Sequence, residues 1–402
     1  MMKCMDPHDR RGVTVIGVDA HKRSHTLVAV DDAGRKLAEK TVSTTSEGHA
    51  EAIVWATERF GSNVKWSIED VRSVSYHLER DLLAAAPWAV VRCPPKLMAR
   101  TRSSGREPGK SDPIDALAIA RAALQEPDLP VAVHDAASWE LRQLVDRRDD
   151  LVLQRVGVMN RVGWRIHLID ASQPTPTRLE KRVRREALAK YLRTQSGLLA
   201  ELAREELDDL EYLSRRVDFV TERIVDRVDG LGSSLLSLTG CAHLTAAKLI
   251  GEAANVDRFK TESAFAKYSG VAPIPRWSGS TAGRLRASPT GNRQINTALH
   301  RIAVTQLSND CAGRAYYQRR RAEGDSGPDA VRRLKRKLSR VVFNRLRADY
   351  LRRLANPSSD GPSASAVVDQ VPAWVELVEL AASLEAERAA RGPVDVDHDA
   401  DT

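Results

Sequence analysis

Apolar positions follow two different periods along this chain. From Val13 to about residue 43 they gather into short β-branched runs at 13–18, 24–30 and 34–42, with Asp31-Asp32-Ala33-Gly34 as the turn between the second and third. The pattern then predicts a helix over 46–60, a strand from Val64 that runs into Glu69, and a helix at about 74–86 ended by Pro87. A short strand at Trp88–Arg92, a helix after Pro94-Pro95 and a helix after Asp112 close this stretch. Three meandering strands followed by strand–helix alternation is the order of an α/β RNase H-like domain. No glycine fingerprint follows the first strand, which argues against a dinucleotide-binding fold.

Past Pro127 and Pro130, which mark a linker over 127–137, the period becomes helical. Two long stretches, about 138–170 and 177–228, are separated near Pro174 and Pro176. In the second, Leu199, Leu202, Leu210, Leu213, Val217, Val220, Ile224 and Val228 form a heptad-like seam. It suits either an antiparallel helical hairpin within one chain or a coiled coil used for self-association. Around Gly240 the pattern reads as helix, glycine hairpin, helix. Such a hairpin can offer backbone N–H groups to phosphate, and simple helix packing also accounts for the glycine. Residues 316–350 combine Tyr316, Tyr317, Arg319, Arg320 and Arg321 with a basic helix whose apolar face is Leu334, Leu338, Val341, Val342 and Leu346. Residues 356–366 read as a Pro/Ser/Gly linker, 372–390 as a short helix and Asp395–Asp401 as a disordered acidic end. The expected domains are therefore 1–126, an RNase H-fold catalytic domain; 127–229, linker and coiled-coil helices; 230–355, a mainly α domain; and 356–402, a flexible tail.

Charge narrows the partner. The 402 residues carry a formal net charge of +8, with arginines spread through most of the chain. So wide a spread suits a polyanion better than a small acidic substrate. The four cysteines, Cys4, Cys93, Cys241 and Cys311, form no CxxC pair, which speaks against a zinc site and a disulfide scaffold. No apolar run reaches the roughly 18 residues of a membrane span, so a cytoplasmic protein without a membrane partner is expected.

The chemistry gathers on acids. Asp112 reads as an N-cap, Pro113 as the first helical residue, and Asp115 lies one turn on. Two acids there are also what a cap and a solvated first-turn acid look like. Two upstream partners change the picture: Asp19 ends the first strand and Glu69 ends the fourth. The carboxyl edge of an α/β sheet is where functional side chains collect. Three or four acids there are the layout of a two-metal phosphoryl-transfer site, which holds Mg²⁺ (or Mn²⁺) ions about 4 Å apart. His21 and His25 follow Asp19 and read as surface groups or, less simply, as ligands. Residues 268–300 form a glycine-rich, arginine-flanked loop carrying Ser278, Ser280 and Ser288. A serine among Arg276, Arg284, Arg286 and Arg293 is placed to attack a phosphodiester, although exposed serine loops are common.

These residues carry a family resemblance. Gly17-Val18-Asp19-Ala20-His21-Lys22, the Glu69 strand and Lys110-Ser111-Asp112-Pro113-Ile114-Asp115-Ala116 resemble the DEDD transposases of bacterial insertion sequences, the bridge-RNA-guided serine recombinases. The Gly240 hairpin, Tyr268-Ser269-Gly270-Val271-Ala272-Pro273, Ser278-Gly279, Gly291-Asn292 and Tyr316–Gly324 are similar in the same order. The resemblance implies a RuvC-like first domain, metal ligands at Asp19, Glu69, Asp112 and Asp115, and a serine nucleophile, here Ser278. It also implies a dimer of dimers with composite active sites bridged by the coiled coil, donor and target DNA as substrates, and a structured guide RNA. Apart from the resemblance, Arg276, Arg284, Arg286 and Arg293 around the serines, and Arg319 and Arg320 beside the Tyr316-Tyr317 pair, are the expected nucleic-acid contacts. Pro289 and Asn296 depart from the family pattern, in which lysine and arginine are usual. The expectation is a site-specific recombinase. A junction-resolving metal nuclease needing no serine and a non-enzymatic nucleic-acid-binding regulator are the rivals.

Overall fold

The computed structural model describes residues 13–61, 63–70, 72–85, 89–104, 109–126, 128–275, 285–287 and 291–355. They form two units, one running to His134 and the other starting at Asp135. The serine loop over 276–284, the expected helix at 372–390 and the acidic end lie outside the described residues.

The first unit contains β1 (Thr14–Ala20), β2 (Ser24–Val30), β3 (Lys36–Ser43), α1 (Ser46–Phe60), β4 (Val64–Glu69), α2 (Arg72–Ala85), β5 (Ala89–Cys93), α3 (Pro95–Ser103) and α4 (Asp112–Gln125). The sheet order is β3-β2-β1-β4-β5. β1, β2 and β3 pair antiparallel, while β4 runs parallel to β1 and β5 parallel to β4. This is the strand order and polarity of an RNase H-like sheet. β1 is buried along its whole length because helices cover both of its faces. Ile16, Val18 and Ala20 pack in one cluster with Ala52, Ile53 and Ala56 of α1 and Leu78 and Leu82 of α2. Val15 packs on the other side with Ala116, Leu117 and Ala120 of α4. The exposed edge strand β3 carries Lys36, Glu39 and Lys40, charges that discourage edge-to-edge pairing. Residues after α4 run along the opposite edge, where Ala132 N donates to Val90 O (2.9 Å) and Arg92 N to Pro130 O (2.8 Å).

Two local expectations shift. β1 continues through Asp19 to Ala20 instead of ending before the acid. Ser111, with extended backbone, precedes α4, so Asp112 is the first helical residue and not the cap, and Pro113 follows inside the first turn.

The second unit holds α5 (Ala136–Ile169), α6 (Arg182–Leu192), α7 (Leu198–Gly230), α8 (His243–Ala253), α9 (Glu262–Tyr268), the short strands β6 (Pro273–Pro275) and β7 (Leu285–Ala287), α10 (Arg293–Leu307), α11 (Ala312–Ala322) and α12 (Gly327–Ala355). One apolar core runs from Leu141 to Leu346 through most of these helices. The seam residues Leu210, Leu213, Val217, Val220, Ile224 and Val228 are buried in it, and α7 packs along α5 of the same chain. That is the hairpin arrangement. A 3-10 turn at Ser234–Ser237, not a full helix, precedes Gly240. A Cβ on Gly240 would meet Ile302 O at 3.0 Å, so this glycine serves close packing against α10. No helix among the described residues is long and apolar enough to cross a membrane.

Candidate functional site

The carboxylates are brought together by one helix lying on one strand. A Cβ placed on Gly17 would sit 2.1 Å from Ala116 O and 2.5 Å from Ala120 N. Only glycine lets the backbone of α4 come so close to β1. Side chains two apart on a strand share a face, so Asp19 lies on the α4 side with Gly17. β4 shows the same parity: Lys65 Nζ donates to Ala123 O (3.3 Å) and Ser67 Oγ to Ile119 O (3.4 Å), and Glu69 is next in that row. β1 and β4 are adjacent and in parallel register up to Val18–Ile68, so the two acids leave neighbouring strand ends. The N-terminus of α4 delivers Asp112 and Asp115 beside them.

The electrostatics record this crowding. Burial raises the Asp19 carboxyl above its ordinary value; His21 opposes the rise, and Asp115 and Asp112 add to it. Burial likewise raises Glu69, helped by Asp19 and Asp115 and opposed by His21 and Lys110. Two basic side chains of the chain hold the acids. Arg102 of α3 donates to Asp115 Oδ1 at 2.5 Å. His21 Nε2 lies 3.1 Å from Asp19 Oδ2 and 3.3 Å from Asp112 Oδ1. Burial alone would lower the His21 imidazole, but the Asp19 and Asp112 carboxylates outweigh it and raise it. Asp115 and Asp19 are buried, whereas Asp112 and His21 keep about half of their side-chain surface exposed (55% and 48%). Hard oxygen donors, partly desolvated, mutually repelling and open to solvent on one side, fit a divalent metal.

Comparison with known proteins decides the family. A model of the DEDD transposases of IS110, described as "Transposase", matches residues 16–164, and one described as "Transposase IS116/IS110/IS902 family" matches residues 232–318. The chain belongs to the IS110 family of transposases. It is accordingly an enzyme that cuts and rejoins DNA. Relatives include the uncharacterized 42 kDa protein of insertion element IS900 from Mycobacterium paratuberculosis, 25% identical, covering 82% of this chain and 95% of that one. The 44.8 kDa protein of IS116 from Streptomyces clavuligerus is 27% identical, covering 85% and 95%. Among solved structures, Thermus thermophilus RuvC with a Holliday junction substrate aligns at 21% identity and a TM-score of 0.22, over 27% of this chain and 91% of that one.

In the second unit of the transposase, the remaining expected residues fare differently. Ser278, Arg276 and Arg284 lie outside the described residues, and Arg286 is placed only as the β7 partner of Ile274. The flanks of that segment are firmly built. Gly291, at φ +115°, packs so closely that a Cβ would meet Gly270 N at 2.6 Å. Asn292 caps α10 through Ile295 N (2.9 Å) and donates to Glu252 Oε2 (2.5 Å). Asn296, one of the departures from the family pattern, bonds Ser269 O and Gly270 O (3.1 Å each) and accepts from Lys335 Nζ (2.5 Å). It therefore serves the scaffold. Arg293 is exposed in the first turn of α10. Arg319 lies over the Tyr316 ring, and Arg320 is tied to Asp325 (2.6 Å) and to Glu323, so its charge is already answered within the chain.

Three features escaped the linear pattern. Arg102 shows no sequence signal beyond being one arginine among many. His21, open in the sequence between a surface group and a ligand, bridges two of the acids. His25 is fully buried against α1, stacked on His49 (centroids 5.4 Å apart), whose Nδ1 bonds Asp81 at 2.6 Å. In the second unit, burial and then Glu252 push Asp146 up to about 6.

Proposed function

We propose that this transposase moves its element by a serine–phosphate exchange at Ser278, assisted by divalent metal held by Asp19, Glu69, Asp112 and Asp115, at sites chosen by a structured RNA. The observation that carries the reading is the convergence of four acids from β1, β4 and α4, enforced by the glycine contact under α4. Mg²⁺ or Mn²⁺ bound there supplies positive charge to the scissile phosphate. The acids fix where that phosphate sits. Ser278 Oγ forms a bond to phosphorus, the bond from phosphorus to the 3′ oxygen breaks, the serine proton is lost and the departing 3′ oxygen gains one. Attack by another strand's 3′ hydroxyl reverses these changes and frees the serine. Arg276, Arg284 and Arg286 flank Ser278 in sequence and supply charge for the pentacoordinate state; Ser280 and Ser288 are the rival nucleophiles.

Guidance by RNA rests on the absence from the sequence of a zinc finger or an obvious recognition-helix motif, set against a net charge of +8. Phosphate contacts give affinity with little sequence choice, and base pairing supplies what they lack. Arg293 and Arg319 are the further backbone contacts in this reading, while Arg320, neutralised by Asp325 and Glu323, is left out of it. Self-association is supported by apolar side chains left on the outer surface of α5, among them Leu153, Trp164 and Leu168. With donor and target DNA as substrates, the enzyme works in the bacterial cytoplasm, on the nucleoid.

The test is strand exchange with purified protein, guide RNA and both DNAs. Asp112→Asn or Glu69→Gln should abolish exchange while circular dichroism stays unchanged; near-normal exchange by either sinks the metal site. A nicked suicide substrate should trap a DNA-linked peptide containing Ser278, and an adduct at Ser280 or Ser288 reassigns the nucleophile. Exchange at the native site by RNase-treated protein with DNA alone rules out guidance.

A further inference from the structure

His21 stands in a position the four-acid reading does not use. It follows β1 by one residue, in a turn held by its own backbone N–H to Ser24 O (3.1 Å) and by Thr44 Oγ1 to Lys22 O (3.3 Å). From there its Nε2 reaches Asp19 Oδ2 at 3.1 Å and Asp112 Oδ1 at 3.3 Å, and the three atoms lie within 4.8 Å of one another. Two carboxylate oxygens and one ring nitrogen thus meet at a point. Nε2 carries at most one hydrogen, so it cannot donate a straight hydrogen bond to both oxygens. The spacing instead suits three donors around one ion: neighbouring ligands each about 2.1 Å from a metal, at right angles, lie about 3 Å apart. The three donors come from the end of a strand, the turn after it and the first residue of α4. Half of the His21 side chain faces solvent, which leaves an entry path.

We propose that His21 is a metal ligand, completing with Asp19 and Asp112 a mixed nitrogen–oxygen site that prefers Mn²⁺ to Mg²⁺. The inference rests on the four-acid reading and adds a selectivity that oxygen ligands alone do not give. Mg²⁺ is a hard ion that takes oxygen and keeps its waters. Mn²⁺, the weakest binder of the first-row series, favours carboxylates too, but it gives up a water for an imidazole nitrogen more readily than Mg²⁺ does. The competing role is a purely electrostatic one, in which the ring is a cationic clamp between two acids and leaves the ligand set to oxygen.

Pulsed electron paramagnetic resonance on full-length protein loaded with Mn²⁺ separates the two. A directly bound imidazole gives ¹⁴N modulation, and growth with ¹⁵N-histidine should change that modulation without any substitution in the chain. His21→Gln should remove it and lower the Mn²⁺/Mg²⁺ affinity ratio, measured by competition titration, at least tenfold; loss of even an outer-shell partner costs about that much. His21→Lys, which keeps a cation and loses the ring donor, should behave like the glutamine variant. Tightly bound Mn²⁺ without nitrogen coupling, coupling that survives in His21→Gln, or recovery of the ratio in His21→Lys overturns the assignment while leaving the acids in place. If Mn²⁺ fails to bind at all, the four-acid reading falls and this inference with it.

Discussion

Burial without a partner has a measurable cost at His25. Its Nδ1 has no hydrogen-bond partner among the described residues, and burial, followed by the neighbouring His49 and His21, pushes the imidazole down to about 4. An unfolded chain would take up that proton near the ordinary value of about 6.5. Between those two values the unfolded state binds a proton that the folded state refuses, so folding weakens as pH falls through the window. A gap of that size corresponds to on the order of 3 kcal/mol. Glu79 works in a lower window. It is buried, which alone would raise it, but His134 and Arg92 hold it down at about 2. Its contribution is present above the ordinary glutamate value of about 4.5 and is lost as pH drops toward 2. The first unit should therefore lose stability in two stages on acidification. Hydrogen exchange on β1–β2 peptides across pH 7 to 3 will read both stages. His25→Phe, which keeps an aromatic ring on His49, should flatten the upper stage and leave the lower one; an unchanged upper slope removes His25 as its cause.

Among the elements, the contact between β1 and α4 does most to build the site, and one atom tests it. Gly17→Ala places a methyl 2.1 Å from Ala116 O, so α4 must move away from the strand. Overpacking of a tight core costs about 1–3 kcal/mol, and the clash here is with backbone, which cannot rotate aside. We expect a loss at the upper end of that range in urea unfolding and a loss of Mn²⁺ binding by the folded protein. Binding at the native affinity would show that the acids do not depend on how α4 is seated. Much of this layer was readable beforehand. β1 and β2 carry largely apolar runs and β4 alternates apolar and polar residues, so all three stand out as strands, and with β1 and β4 the acids at their ends. The Asp-Pro pair marked the start of α4 to within one residue. What pattern could not give was parity across the sheet. Nothing local says that Gly17, Asp19, Ser67 and Glu69 all face α4, or that His25 faces α1, because facing depends on which helix packs where. The α7 seam was equally ambiguous: its period is the same whether the partner is α5 of the same chain or a second copy, and only the fold supplies α5. The 3-10 turn before Gly240 escaped because four residues are too few to show a period.

For the whole molecule, the acids and the serine belong to different parts of the chain. Asp19, Glu69, Asp112 and Asp115 lie in the unit that ends at His134, and Ser278 follows in the region after Asp135. A centre that needs both can draw them from one copy or from two. Family resemblance implies composite centres, and the apolar side chains exposed along α5, including Trp164 and Leu168, offer a surface through which copies can meet. Complementation distinguishes the alternatives. Glu69→Gln protein keeps its serine and lacks a working metal site; Ser278→Ala protein has the reverse. Each alone should be inactive in strand exchange. If centres are shared, subunits of the two variants assembled together on the same guide RNA contain one pairing of intact acids with intact serine, and exchange should return at a fraction of the wild-type level, greatest at equal proportions. The Glu69→Gln, Ser278→Ala double variant mixed with either single variant should stay at background when the single variants alone do, whereas mixed with wild type it should lower activity more steeply than simple dilution. No recovery at any ratio of the two single variants, in mixtures shown by native mass spectrometry to contain both, would mean that each copy completes its own centre.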